Sequence, residues 1–141
     1  MNPNNYCTLE ASKRLVEAGI KIKTEFYHVF SEGQYLGIHH KKYRDGFLKE
    51  ISLDHADVKA RDFIPAPSMA EVWRELPEKF VSKRGRECIL QLDKVKTVHG
   101  VVDTSAQYVY GEHFEYVYKF FADTNPTDAL IDLLIWVRKE E

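Results

Sequence analysis

The segment from Asn125 to Lys139 constrains this chain more than any other. Asn125 is a residue that accepts hydrogen bonds from the first free N–H groups of a helix, and Pro126 suits the first helical position. Asp128 and Asp132 lie toward the positive end of the helix dipole, Arg138 and Lys139 toward the negative end. Leu130, Leu133, Leu134 and Val137 recur at i, i+3, i+4 and i+7, which predicts a closing helix with one apolar face. Such a face needs something to lie on, and the residues just before it offer a sheet.

Ser105 to Tyr110 and Phe114 to Phe121 read as a hairpin around Gly111-Glu112-His113. With a three-residue turn, Tyr110 sits opposite Phe114 and Tyr108 opposite Tyr116. One face then carries Tyr108, Tyr110, Phe114, Tyr116, Tyr118 and Phe120, and the other Gln107, Val109, Glu115, Val117, Lys119 and Phe121. Glu115 and Lys119 mark the second face as solvent-facing, so the aromatic face is expected under a helix, although rings on a sheet also stack on nucleic-acid bases. A strand at Cys88 to Val95 precedes the hairpin.

Ser68-Met69-Ala70-Glu71 is a reciprocal capping box opening a helix that Pro77 stops after Leu76. Its apolar face is Met69, Val72, Trp73 and Leu76, so Trp73 is expected to be buried, with Trp136 at the edge of the closing helix's stripe. Near the N-terminus, Thr8 caps a helix from about Leu9 to Ala18, and Gly19 suits the left-handed position after it. Ile20 to Phe30 alternates as a strand, Ser31-Glu32-Gly33 reads as a turn, and Gln34 to His39 as the return strand. Residues 40–66 are polar and read as a long excursion with a strand near Phe47 to Ile51.

The resulting order, α-β-β-(excursion)-α-β-β-β-α, predicts a single α+β domain over residues 1–141. Its sheet is largely antiparallel with three helices packed on it, and an α-β-α sandwich is the arrangement that covers both faces. At 141 residues, 44% hydrophobic and 30% charged, the chain is long enough to hold a core without disulfides or metal. Cys7 and Cys88 form no CxxC pair and are expected as free thiols. The N-terminus has no apolar signal core, and Leu130 to Val137 is too short to span a bilayer, which predicts a cytoplasmic protein without membrane contact.

Chemistry is sparse. No nucleotide-binding or hydrolase signature occurs, so no catalytic residue is assigned and no cofactor is expected. Six histidines, His28, His39, His40, His55, His99 and His113, show no metal-ligand spacing; Asp54-His55-Ala56-Asp57 offers two ligands at most, and no metal is expected. Cys7 precedes a helix, where a thiol pKa can fall, while Cys88 reads as a small core residue. Two basic runs remain: Lys41, Lys42 and Arg44 after His39-His40, and Lys83, Arg84 and Arg86 around Gly85. Both are placed in loops. Together they could form one phosphate-binding surface; separately they are solvated connections.

Three segments also carry a resemblance: Ile64-Pro65-Ala66-Pro67-Ser68-Met69-Ala70-Glu71-Val72-Trp73-Arg74-Glu75-Leu76-Pro77, the aromatic hairpin, and Asn125-Pro126-Thr127-Asp128-Ala129-Leu130. Over roughly residues 64–138 the chain resembles small uncharacterised phage and prophage proteins of gut bacteria and, more distantly, the phage α-β-α sandwich domain. The resemblance implies αβα layering and a phage or prophage origin, and it carries over no catalytic residue. The leading expectation is a non-enzymatic accessory protein that binds a macromolecule. The net charge of −2 puts a protein partner ahead of nucleic acid. The alternatives are a nucleic-acid-binding module using the two basic runs, and an enzyme with an unrecognised histidine site.

Overall fold

The structure, a computed structural model, describes residues 5–52 and 61–140. Its elements run α1 (Leu9–Glu17), β1 (Phe26–Ser31), β2 (Gln34–His40), α2 (Lys41–Ser52), β3 (Arg61–Pro65), α3 (Met69–Glu75), β4 (Lys79–Val81), β5 (Glu87–Lys96), β6 (Val102–Tyr110), β7 (Tyr116–Asp123) and α4 (Pro126–Glu140). The class is α+β, with four helices and two antiparallel sheets among the described residues, ordered β2-β1-β3 and β4-β5-β6-β7.

α4 is the centre of the molecule, as its sequence requires. Leu130, Ile131, Leu133, Leu134 and Val137 are wholly buried. They share one core with Ala11 and Leu15 of α1, Val72 and Leu76 at α3, and Cys88, Ala106 and Tyr108 on the four-stranded sheet. α1, α3 and α4 therefore lie on one side of that sheet. On its other face Ser105, Gln107 and Val109 are buried as well. A polar ladder runs there: Ser105 Oγ donates to Gln107 Oε1 (2.9 Å), and Gln107 Nε2 donates to Gln91 Oε1 (2.9 Å).

The caps form as the sequence predicts. Thr8 Oγ1 accepts from the Ala11 N–H, and Asn125 Oδ1 accepts from the N–H groups of Thr127 and Asp128. Two of the capping carboxylates also act over long range, which their spacing does not announce. Asp128 accepts from the Thr8 N–H (2.8 Å) and the Thr8 hydroxyl (2.6 Å), pinning the starts of α1 and α4 together. Glu71 completes the capping box with Ser68 and also accepts from the Thr24 hydroxyl and the Glu25 N–H. The buried carboxylate thus ties the entry of α3 to the chain leading into β1.

Several expectations are corrected. Residues 41–52 form a helix, so the strand expected near Phe47 to Ile51 is absent. Gly46 in its middle and lysines at its positive end disfavour α2 locally. Tertiary contacts hold it: Phe47 is buried against Phe63, and His40 Nδ1 accepts from the Lys42 N–H as a cap. β3 and the three-residue β4 were also missed. Ile20 to Glu25 is extended but unpaired; Ile20 and Ile22 still turn inward against the core, which explains their alternation. Glu32 and Gly33 both have positive φ (51° and 82°), the two-residue hairpin turn whose twist matches its strands.

The β6–β7 register differs most. The connection runs from Gly111 to Glu115, so Tyr110 pairs with Tyr116, and a bulge then sets Tyr108 opposite Lys119. A one-residue slip moves side chains to the other face. Phe121, expected outside, packs on the core, whereas Phe120, expected inside, lies opposite Gln107 on the other face and is 59% exposed. Gly111 is required at the turn, since a Cβ there would meet Glu115 Oε2 at 2.7 Å, and its φ is +104°. Trp73 is 38% exposed, because Val72 and Leu76 take the inward face of the short α3 and Trp73 is turned to its rim. Trp136 is half-buried against Phe80.

Candidate binding site

The antiparallel order places the β4–β5 turn and the β6–β7 loop at one end of the four-stranded sheet. The turn is rigid. The Ser82 N–H donates to Arg86 O (2.8 Å), the Gly85 N–H to Ser82 O (2.8 Å), and the Arg86 N–H to Ser82 Oγ (3.0 Å). It presents Lys83, Arg84 and Arg86, none of which has a carboxylate within ion-pair distance among the described residues. The adjacent Glu87 is neutralised by Lys79 at 2.9 Å.

Beside this turn lie the rings that were expected in the core. Of that set only Tyr108 is fully buried, with its hydroxyl donating to Pro77 O (2.7 Å). Tyr110 is half-buried, and Tyr116 and Tyr118 are 55% and 42% exposed. The Arg86 guanidinium lies over the Tyr110 ring at 4.2 Å, and Tyr110 stacks on Tyr116 at 5.3 Å. At the bulge, Tyr118 lies against Phe80 (5.9 Å) and Trp136 (6.1 Å) while part of its side chain stays exposed. Ser82 to Arg86, Tyr110 and Tyr118 enclose a cleft of about 610 Å³. A second groove of about 310 Å³ shares Lys83 and Tyr118 and runs on past Phe80 toward Glu140 at the end of α4. Cations without a carboxylate partner among the described residues therefore line a trench with Tyr110 and Tyr118, and the second groove adjoins it at Lys83 and Tyr118. Glu140 lines the second groove, and in the β6–β7 loop Glu115 accepts from the His113 N–H.

The structure does not join the other basic run to this surface. Lys41, Lys42 and Arg44 form the first turn of α2, beside the three-stranded sheet, rather than a loop. Lys41 faces Glu25 at 3.8 Å, and Arg44 donates to the Tyr27 hydroxyl at 3.0 Å. Lys42 alone of the three has no side-chain partner among the described residues.

Among the described residues, His28 and both cysteines have structural surroundings. Among the described residues, no three His, Cys, Asp or Glu side chains come together; Asp54, His55 and Asp57 lie outside the described residues. His28 is 1% exposed, with Nδ1 at 2.8 Å from the Tyr35 hydroxyl and Nε2 buried without a hydrogen-bond partner among the described residues. Burial lowers its pKa below the ordinary 6.5. Because the unfolded chain then binds the proton more readily, the contribution of neutral His28 is complete above pH 6.5. It is lost as pH falls through the lower folded value. The unfolding free energy is expected to decline from pH 7 to 5, and His28→Phe to flatten that decline in denaturant titrations.

Cys7 carries no sign of an activated thiol. Its Sγ lies 2.8 Å from Ser12 Oγ, and burial pushes its pKa up to about 12, overriding any help from the helix start beside it. Burial raises the Cys88 thiol as well. Both thiols are expected to resist an aromatic disulfide reagent in the native protein and to react after denaturation; rapid native labelling would contradict their burial.

No family model matches the chain, and comparison with curated proteins and with solved structures finds no match. The resemblance to phage proteins thus rests on the three sequence segments alone. No helix among the described residues is long and apolar enough to cross a membrane.

Proposed function

We propose that the chain is a binding module for single-stranded nucleic acid, using the trench at the turn end of the four-stranded sheet. The observation that carries this reading is the juxtaposition of three cations without a carboxylate partner among the described residues, Lys83, Arg84 and Arg86, with the rings of Tyr110, Tyr116 and Tyr118. Cations hold the backbone, and rings accept bases whatever their sequence, because every base has a π-face. A duplex keeps its bases stacked, so the rings favour a single strand. This promotes the nucleic-acid reading over a protein partner and confines it to one of the two basic runs. The overall charge of −2 is no obstacle, since the attraction is local.

Fluorescence anisotropy with a labelled single-stranded oligonucleotide tests the proposal. Binding should weaken with salt, with a log–log slope of about −2 if the three cations each neutralise one phosphate. Arg84→Glu with Arg86→Glu should abolish binding, and Lys41→Glu with Lys42→Glu should leave it unchanged. No binding at low salt, or binding indifferent to the first pair, overturns the assignment.

A further inference from the structure

We infer that β7 is a self-association edge through which two copies of this chain pair antiparallel, joining their four-stranded sheets. The inference is independent of the nucleic-acid reading. β7 is the last strand of its sheet, and among the described residues it pairs only with β6. Sheets usually guard such an edge with proline, outward lysines or a bulge, because its free N–H and C=O groups invite another strand. Here the bulge lies at Tyr118, which sets Tyr116 to Tyr118 apart but leaves Lys119 to Asp123 regular. That stretch has no proline, and its one lysine is folded back, with Nζ 5.2 Å from the Phe121 ring and 5.8 Å from Trp136.

Charge fixes both occupant and register. Lys119 and Asp123 lack a counter-charge among the described residues. Asp123 uses Oδ1 to accept from the Asn125 N–H and the Thr124 hydroxyl, and among the described residues its Oδ2 has no partner. A two-fold axis at Phe121 sets Lys119 of each copy opposite Asp123 of the other and Phe120 opposite Ala122. It creates two identical ion pairs from an edge that holds one unpaired charge of each sign. Another protein's strand would need its own matching pair; a second copy of this chain already has it. A groove of about 450 Å³ beside the strand, between Ala18, Phe121, Ile135 and Trp136, leaves room for side chains of the second copy.

Sedimentation equilibrium of the full chain without nucleic acid, from low to high micromolar concentration, tests this. The mass should rise from one chain to two. Lys119→Glu alone and Asp123→Lys alone should each stay monomeric, because each opposes like charges. Mixed in equal amounts, the two variants should form a heterodimer, since each then supplies the charge the other lacks. Lys119→Arg should dimerise as the native chain does and serves as the control if Asp123→Lys disturbs the start of α4; circular dichroism checks folding in each case. A single-chain mass for the native protein at every concentration overturns the inference, and so does a dimer that survives Lys119→Glu.

Discussion

Leu134→Ala is expected to lower the unfolding free energy by about 2–5 kcal/mol, whereas Trp73→Ala should cost about 1 kcal/mol or less. The contrast runs against residue size, since tryptophan removes more atoms. Position decides it. Leu134 is wholly enclosed where α4 meets the core, so truncation leaves a cavity that its neighbours cannot fill without moving. Trp73 sits on the rim of α3 beside Met69, Arg74 and Leu92, where water can replace the lost ring. Denaturant midpoints of the two variants check this; a larger loss for Trp73→Ala would place that ring in the core and contradict the packing of α3.

Tyr116→Ala and Tyr118→Ala should each weaken single-strand binding by about 1–3 kcal/mol, which is roughly 5- to 150-fold in Kd. Tyr→Phe at either site should keep most of the affinity, because stacking uses the ring and not the hydroxyl. Both side chains are exposed, so neither truncation should compromise the fold. Tyr108 offers no such test, since its buried ring and its bond to Pro77 make it part of the core. Anisotropy titrations at fixed salt measure the change; unaltered affinity in both alanine variants would leave the trench as a purely electrostatic surface or none.

The parts of this fold that were legible in the sequence are those with strong local signatures. The cap and stripe of α4, the capping box of α3 and the Glu32-Gly33 hairpin turn are encoded within a few residues. What was not legible depends on distant partners. α2 carries unfavourable local signals and is held chiefly by the distant Phe63, with the neighbouring His40 imidazole capping its start. The β6–β7 register turned on loop length and one bulge, and alternation alone cannot specify either. Tyr110 and Tyr116 keep the face that alternation predicts, but exposure rises toward the turn end of the sheet, from the buried Tyr108 through the half-buried Tyr110 to the exposed Tyr116. The cations at 83–86 are legible as a run, whereas the end of the sheet that meets them is set by strand order and tertiary packing. A bulge has no strong sequence mark here. The clearest clue was the excess of rings in Tyr108 to Phe121 over what one helix can cover.

The central claim is that one end of the four-stranded sheet takes a single strand. The most direct measurement is the change in backbone amide NMR shifts as an unlabelled single-stranded oligonucleotide is added. The account predicts that the largest shifts fall on Ser82 to Arg86 and on Tyr110 to Tyr118, with Lys41 to Arg44 at the start of α2 unmoved. Shifts centred on α2, or none at saturating oligonucleotide, would contradict it.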